Sequence, residues 1–235
     1  MMVRLGNFLF GYRNFLFPIG YLGLFLPSPK LIGSPVFAVI MGLAICLVGQ
    51  GIRVMTIGLV YIIRGGSKRS IYAKDLVTSG LFSHVRNPLY MGNILILFGM
   101  GVIADSVIFC GIIFPLFLVF YHAIVRAEEE FLLDKFGDQY REYMRTVNRW
   151  IPQVKGLGTT LTSMVFRWRR VIIREYNSTY IWTVGALLLT LKNIHSCGAE
   201  AFRRALPAGI SAIGILTAAY LIVRFLKKSK RLRDE

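Results

Sequence analysis

Residues 80–90 read Gly80-Leu81-Phe82-Ser83-His84-Val85-Arg86-Asn87-Pro88-Leu89-Tyr90, and they lead straight into an apolar segment. A second apolar segment, Val107 to Val125, runs into Arg126-Ala127-Glu128-Glu129-Glu130. The first segment ends near Ala104, and Asp105-Ser106 is the natural turn between them. The two segments therefore read as a helical hairpin in a membrane. A cationic cluster sits at one end of this excursion and an anionic cluster at the other, so both return to the same membrane face. Opposite charges converging beside lipid predict an interfacial pocket for a zwitterionic ligand.

The composition agrees with a membrane setting. Hydrophobic residues make up 55% of the 235, and mean hydropathy is +0.57, too apolar for a soluble domain of this size. The formal net charge is +16, but Lys and Arg are bunched between apolar segments. That pattern reads as positive-inside topology, with basic loops against anionic lipid, and not as nucleic-acid binding. Cys46, Cys110 and Cys197 are far apart, and His84, His122 and His195 are isolated, so neither a disulfide framework nor a metal site is expected. The N-terminal apolar run lacks a small-residue cleavage site, so no removable signal peptide is expected.

Working outward, we read an all-α polytopic bundle of about six transmembrane helices. The expected spans are Phe8 to Leu26, Pro35 to Ile63, Pro88 to Ala104, Val107 to Val125, Ser178 to Ile194 and Pro207 to Phe225. The second is longer than one bilayer crossing, so its inner part, Val54 to Ile63, is expected to project and form an apolar wall. Basic clusters follow the second span (Arg64, Lys68, Arg69, Lys74), precede the fifth (Arg167, Arg169, Arg170, Arg174) and follow the sixth (Arg224, Lys227, Lys228, Lys230, Arg231, Arg233). All of them face the cytoplasm if both termini are inside, which also places the two motifs there. Residues 1–152 read as the core, and 153–235 as a basic linker with two accessory spans.

Asn87-Pro88 is a helix-start signal: Asn is a favoured N-cap, and Pro at the first helical position has a preset φ and no N–H to lose. The free N–H groups of that first turn attract anions. Arg86 adds a forked donor suited to a carboxylate. Gly80 permits the tight turn before the loop. In the second motif, at about 100° per residue, Glu128 shares a face with Tyr121, Ile124, Val125, Leu132 and Phe136. A carboxylate there needs a cationic partner, either an Arg of this chain or the ammonium of a ligand. Glu130 falls opposite, with Asp134, Asp138 and Arg141, and reads as a surface charge; Glu129 is intermediate. Tyr140, Tyr143 and Val147 continue at helical spacing as packing residues.

The run Leu76-Val77-Thr78-Ser79-Gly80-Leu81-Phe82, with Arg86-Asn87-Pro88-Leu89-Tyr90-Met91-Gly92, resembles the isoprenylcysteine carboxyl methyltransferase and phospholipid methyltransferase superfamily. So does Glu128-Glu129, with Leu132, Phe136-Gly137, Tyr140, Tyr143, Val147 and Ile151-Pro152. The resemblance covers residues 74–152 and rests on both motifs in order. It implies a membrane-embedded methyltransferase that uses S-adenosyl-L-methionine without a dinucleotide-binding domain. Carried over position by position, cofactor contacts fall on Lys74, Asp75, Leu76, Val77, Phe82, Asn87, Pro88, Leu89, Tyr90 and Glu128, and the charge argument adds Arg86. The chain departs from the prenylcysteine enzymes at Lys74 and Asn87, where they have His, and at Phe82, where they have Tyr. Their substrate-contacting Arg, one turn before the first Glu, is Ile124 here, and Arg126 is the nearest substitute. These changes count against a prenylcysteine carboxylate as acceptor.

The leading expectation is thus methyl transfer to a lipid-like amphiphile from the bilayer, with an amine-headgroup phospholipid slightly favoured because Ile124 replaces the upstream Arg and Glu128 and Glu129 are near, and a prenylcysteine-type carboxylate, which Arg126 would serve, next. A sulfonium methyl is already activated, so alignment and water exclusion supply most of the barrier reduction. Arg126, Glu129, Tyr90 and Tyr140 are the candidates to position or deprotonate an acceptor. A nicotinamide-dependent reductase of the sterol type is the alternative, but its phosphates would want Arg and Lys where this chain has three Glu. A scaffold or transporter would need intramembrane polar pathways, and only Gln50 and Arg53 offer one.

Overall fold

The computed structural model describes residues 1–60, 64–67, 70–229 and 231–232, with backbone alone for 64–67 and 70. Six long helices correspond one for one to the expected spans: α1 (Met2–Leu22), α2 (Pro35–Leu59), α3 (Pro88–Ile103), α4 (Phe114–Phe136), α7 (Trp168–Ser196) and α8 (Ala199–Lys228). Between α4 and α7 lie two short helices, α5 (Asp138–Thr146) and α6 (Leu157–Ser163). Among the described residues three segments, Pro35–Leu59, Phe109–Phe136 and Ala199–Lys228, are long and apolar enough to cross a membrane by length and composition. The all-α membrane bundle is the observed fold.

One element was not expected. Arg64–Ser67 (β1) and Ser70–Ala73 (β2) pair antiparallel, in register Arg64 with Ala73. The second helix also ends earlier than the hydrophobic run. Val60 is already extended, and Tyr61, Ile62 and Ile63 lie outside the described residues, as do Lys68, Arg69, Lys230 and Arg233. The inner turn of α2 does not project as a free wall. Leu59 and Val60 are buried, Phe166 packs over Gly58, and the Arg167 N–H donates to the Gly58 carbonyl. The chain after α6 folds back and covers this end.

Glycine sets the closest contact in the bundle. A Cβ on Gly42 would meet the Gly99 carbonyl oxygen at 2.6 Å, and one on Gly99 would meet that of Gly42 at 2.6 Å. Gly49 and Gly92 are reciprocal in the same way at 2.7 Å. Pairs seven residues apart on both helices thus bring the α2 and α3 backbones together, the small-residue seam that lipid-embedded helices use. Antiparallel α1 and α4 close likewise at Gly6, whose Cβ would strike the Ala123 carbonyl. At the opposite end, Asp105 takes a positive φ of 52° in the expected α3–α4 turn, and its Oδ1 accepts from the Ile32 N–H at 2.7 Å.

The α4 helix begins with a wide turn, Phe109–Ile113, ahead of Pro115. Pro115 has no N–H for the normal helical bond, which gives the preceding turn a reason to widen. At its other end α4 stops at Gly137, whose φ is +53°. Tyr140, Tyr143 and Val147 therefore do not continue α4. They belong to and follow the separate helix α5, and with Leu132 and Ala73 they form a second apolar cluster.

The contacts also fix direction: α1, α3 and α7 run one way, and α2, α4 and α8 the other. The start of α3 and the end of α4 are thereby at one end of the bundle.

Candidate active site

The two motifs meet through their side chains. The Tyr90 hydroxyl donates to Glu128 Oε1 at 2.7 Å. Arg86 Nη1 lies 3.4 Å from Glu129 Oε1, and Arg149 grips the same carboxylate with Nε at 3.0 Å and Nη2 at 2.7 Å from Oε2. Glu129 is thus bracketed by two guanidiniums and is as buried as Glu128. Its expected intermediate exposure is corrected: the chain at 148–150 folds over this side of α4 and delivers Arg149. Glu130 is exposed, as its helical position predicts.

Asn87 occupies the N-cap position with Pro88 at the first turn, but its side chain makes no capping bond. The amide instead donates to the Arg149 carbonyl at 3.4 Å. The first-turn amides of α3 therefore lack the expected side-chain oxygen. Beside them, Arg86 Nε is buried with no hydrogen-bond partner, although Nη1 contacts Glu129. A buried donor without an acceptor is costly in a native fold, so the guanidinium of Arg86 is left partly unsatisfied at this end of the site.

A cavity of about 740 Å³ opens from this cluster into the bundle. Phe82, Arg86, Asn87, Leu89, Tyr90 and Glu128 line its polar end. Its deeper wall is apolar, with Ile96, Leu97 and Met100 of α3, Leu24 after α1 and Gly185 of α7. Leu89 and Met100 are separated by about 16 Å along α3 at the helical rise, so the lining extends over much of a leaflet. Asp75, Leu76 and Val77 line a small recess that shares Phe82 with the main cavity. Lys74 is exposed, and Pro88 is buried within the fold. Arg126 is exposed on the far side of α4 from Glu128, and Tyr140 packs in the α5 cluster and the recess. Neither lines the main cavity. His84 is held by the Gln153 carbonyl and Thr160 Oγ1, an ordinary buried histidine.

A second polar wall was only half read from sequence. Arg53 of α2 donates Nε to Glu175 Oε2 at 2.8 Å and Nη2 to Oε1 at 2.6 Å, and its Nη1 donates to Asn93 Oδ1 of α3. Gln50 donates to Glu175, and the Trp182 indole donates to Gln50 Oε1 at 2.8 Å. Arg53, Asn93 and Trp182 line the cavity. The signal was present: Glu175 is the lone acid between Glu142 and Glu200, and Arg53 is the lone charge of α2. Two lone opposite charges on apolar helices have reason to pair. Through this pair α7, read as accessory, forms part of the cavity wall. Among the described residues no group of three or more His, Cys, Asp or Glu could hold a metal ion.

Residues 37–139 match the phospholipid methyltransferase family. The match contains both ends of the α3–α4 hairpin, so the resemblance read from the two motifs holds for the segment that builds the site. The chain is 34% identical over 79 residues to the cobalt-zinc-cadmium resistance protein CzcN of Cupriavidus metallidurans, covering 34% of this chain and 36% of that one. It is 28% identical over 123 residues to the nickel-cobalt-cadmium resistance protein NccN of Alcaligenes xylosoxydans xylosoxydans, covering 52% and 56%. It is also 31% identical over 80 residues to the protein-S-isoprenylcysteine O-methyltransferase of Schizosaccharomyces pombe, covering 34% of each. The matched stretch is thus between a third and just over half of these relatives' length. No solved structure matches at a significant level.

Proposed function

We propose, from the match of residues 37–139 to the phospholipid methyltransferase family, that the protein is an integral membrane methyltransferase. It takes the methyl group of S-adenosyl-L-methionine and places it on a lipid-like amphiphile that enters from the bilayer. The observation that carries this reading is that Arg86 and Glu128, one basic and one acidic, line the same end of one otherwise apolar cavity. That end suits an amino-acid zwitterion. The Arg86 guanidinium and the uncapped start of α3 would hold its carboxylate. Glu128, oriented by the Tyr90 hydroxyl, would hold its ammonium.

Glu129 has a different part from the one its sequence position implied. Bracketed by Arg149 and Arg86, it fixes the guanidinium of Arg86 and anchors the 148–150 segment beneath it. It positions and does not touch a substrate. Arg126 has no part at the cavity, because it faces away. Asp75, Leu76 and Val77 border only a recess of about 10 Å³ next to Phe82, the room of about one water, so the rest of the cofactor would fall to the main cavity.

When bound, the sulfonium cofactor supplies an activated methyl group, so the protein needs no strong catalytic base for a nucleophile that is already deprotonated. The chain's own contribution is alignment and dryness. Ile96, Leu97 and Met100 exclude water from the deeper cavity, and Tyr90 fixes the Glu128 carboxylate. Each methylene of an acceptor tail buried along the apolar wall contributes about 0.8 kcal/mol. The site end is assigned to the cytoplasmic face by its basic flanks, with both termini on that side. A Cys placed at Lys228 that reacts only with reagent on the outer face would reverse this orientation.

The reading is tested by retention of radiolabelled S-adenosyl-L-methionine on the purified full chain. Retention is expected for the wild type and for Glu130→Gln. Glu128→Gln should weaken it about ten-fold or more, because an amide does not compensate an ammonium. No retention by the folded wild type refutes the cofactor.

A further inference from the structure

We infer that Arg13 binds an anionic group of the amphiphilic acceptor, so that the acceptor carries a phosphate or carboxylate on its apolar tail. The inference deepens the proposed function and rests on the reading of the cavity as an acceptor site.

Three arginines line the cavity: Arg13, Arg53 and Arg86. Two have carboxylates. Arg53 is held by Glu175 and Arg86 contacts Glu129. Arg13 differs. Its guanidinium lies 4.1 Å over the centre of the Phe10 ring, and no hydrogen bond or ion pair joins it to another described residue. It is half-buried on α1, five positions past Phe8, where the expected span begins, or about 8 Å along the helix. A cation within a span normally faces a bundle interior or a water-filled space and has an anionic partner. The ring face offsets part of the cost and leaves the forked donors available.

Its surroundings fit an acceptor head. Phe10 and Phe17, one turn to each side of Arg13, pack against Ile124 and Tyr90. Arg13 therefore enters the cavity beside the wall that carries Tyr90 and Glu128, and not at the lipid-facing back of α1. Glu128 is committed to the cofactor ammonium and Glu129 to two arginines. The remaining charge at the cavity is the positive charge of Arg13. The earlier preference for an amine headgroup counted Glu129 as an available acid, and the Arg149 pair removes it. An amine next to a phosphate remains compatible; an acceptor with no anionic group does not.

The test is direct binding, so that it does not depend on turnover. The full chain in nanodiscs of zwitterionic lipid is titrated with radiolabelled dodecyl phosphate, laurate and dodecanol, corrected with empty discs. The wild type should bind at least one anion about ten-fold or more tightly than dodecanol, the size of one charged hydrogen bond. Which anion wins separates a phosphate from a carboxylate acceptor. Arg13→Gln should erase that preference, and Arg13→Lys should keep most of it. Dodecanol bound as tightly as both anions, or a preference that survives Arg13→Gln, overturns the assignment. Retention of S-adenosyl-L-methionine is measured on the same variants and should be unchanged by Arg13→Gln. Loss of retention in the wild type alone would strike the methyltransferase reading and leave the anion site standing.

Discussion

The cavity has two polar walls built in opposite ways. On one, Arg86, Tyr90 and Arg149 come from the start of α3 and the loops beside it, and they meet Glu128 and Glu129 about two turns before the end of α4. On the other, Arg53 and Glu175 come from within long helices and neutralise each other, with Gln50, Asn93 and Trp182 completing the network. The first wall keeps a buried donor, Arg86 Nε, with no partner. In the second, one carboxylate takes three donors, from Arg53 and Gln50. Charges carried on loops, as Arg86 and Arg149 are, can keep a donor for a ligand. Charges that both sit on long apolar helices, as Arg53 and Glu175 do, must satisfy each other for the helices to pack. The first arrangement serves binding and the second serves assembly.

The largest test of this contrast is Glu175→Ala. It leaves Arg53 buried without its carboxylate, and a broken buried pair costs about 3–5 kcal/mol. A clear fall in melting temperature is expected, recovered at least in part when Arg53→Met is added to Glu175→Met. A single variant as stable as the wild type would show that the second wall is not structural. Arg86→Ala comes next. Glu129 keeps Arg149, so the fold should hold while cofactor affinity falls by about 1.5–3 kcal/mol in calorimetry. Unchanged affinity would mean that the Arg86 guanidinium does not face a ligand.

Gly92→Ala touches both walls' common support. Its Cβ would lie 2.5 Å from Arg53 Cγ and 2.7 Å from the Gly49 carbonyl oxygen. The overpacking cost is about 1–3 kcal/mol, read as lost thermal stability with the cofactor site intact. The smallest effects are expected at Arg126→Gln and Glu130→Gln. Both positions are exposed, so each should stay within about 0.5 kcal/mol of the wild type in stability and in cofactor binding. A strong loss at Arg126 would move the acceptor site to the other side of α4.

The first wall was legible because its chemistry is local. Asn87-Pro88 announces a helix start, and the 3.6-residue period separates Glu128 from Glu130. Six spans followed from apolar length, and the α3–α4 turn at Asp105 followed from its residue type. What was missed is what depends on chain crossings. Arg149 reaches Glu129 only because Gly137 breaks the helix and turns α5 back, and a single glycine does not state the direction of that turn. The place of α7 in the cavity wall depends on Glu175 finding Arg53 across more than a hundred residues of chain. Periodicity records which face of a helix is apolar, not which helix it meets. The hairpin of β1 and β2 was hidden for a simpler reason: it falls in a Gly- and Ser-containing stretch that the basic-cluster reading treated only as topology.

The reciprocal glycines of α2 and α3 also have a mechanical meaning. Where backbone meets backbone, no side chain can change rotamer to let the pair slide, so these two helices act as a rigid beam. The expansion needed to admit and release a long-chain molecule then falls between this beam and the α1–α4 pair, which Gly6 joins in the same way and which faces the beam across the cavity. The protein works as a fixed frame with one hinged leaf, and Arg13 rides on the leaf. Amide exchange should be slowest along the Gly42–Gly99 and Gly49–Gly92 contacts and distinctly faster through α1. Equal protection in the two would mean that the frame opens elsewhere.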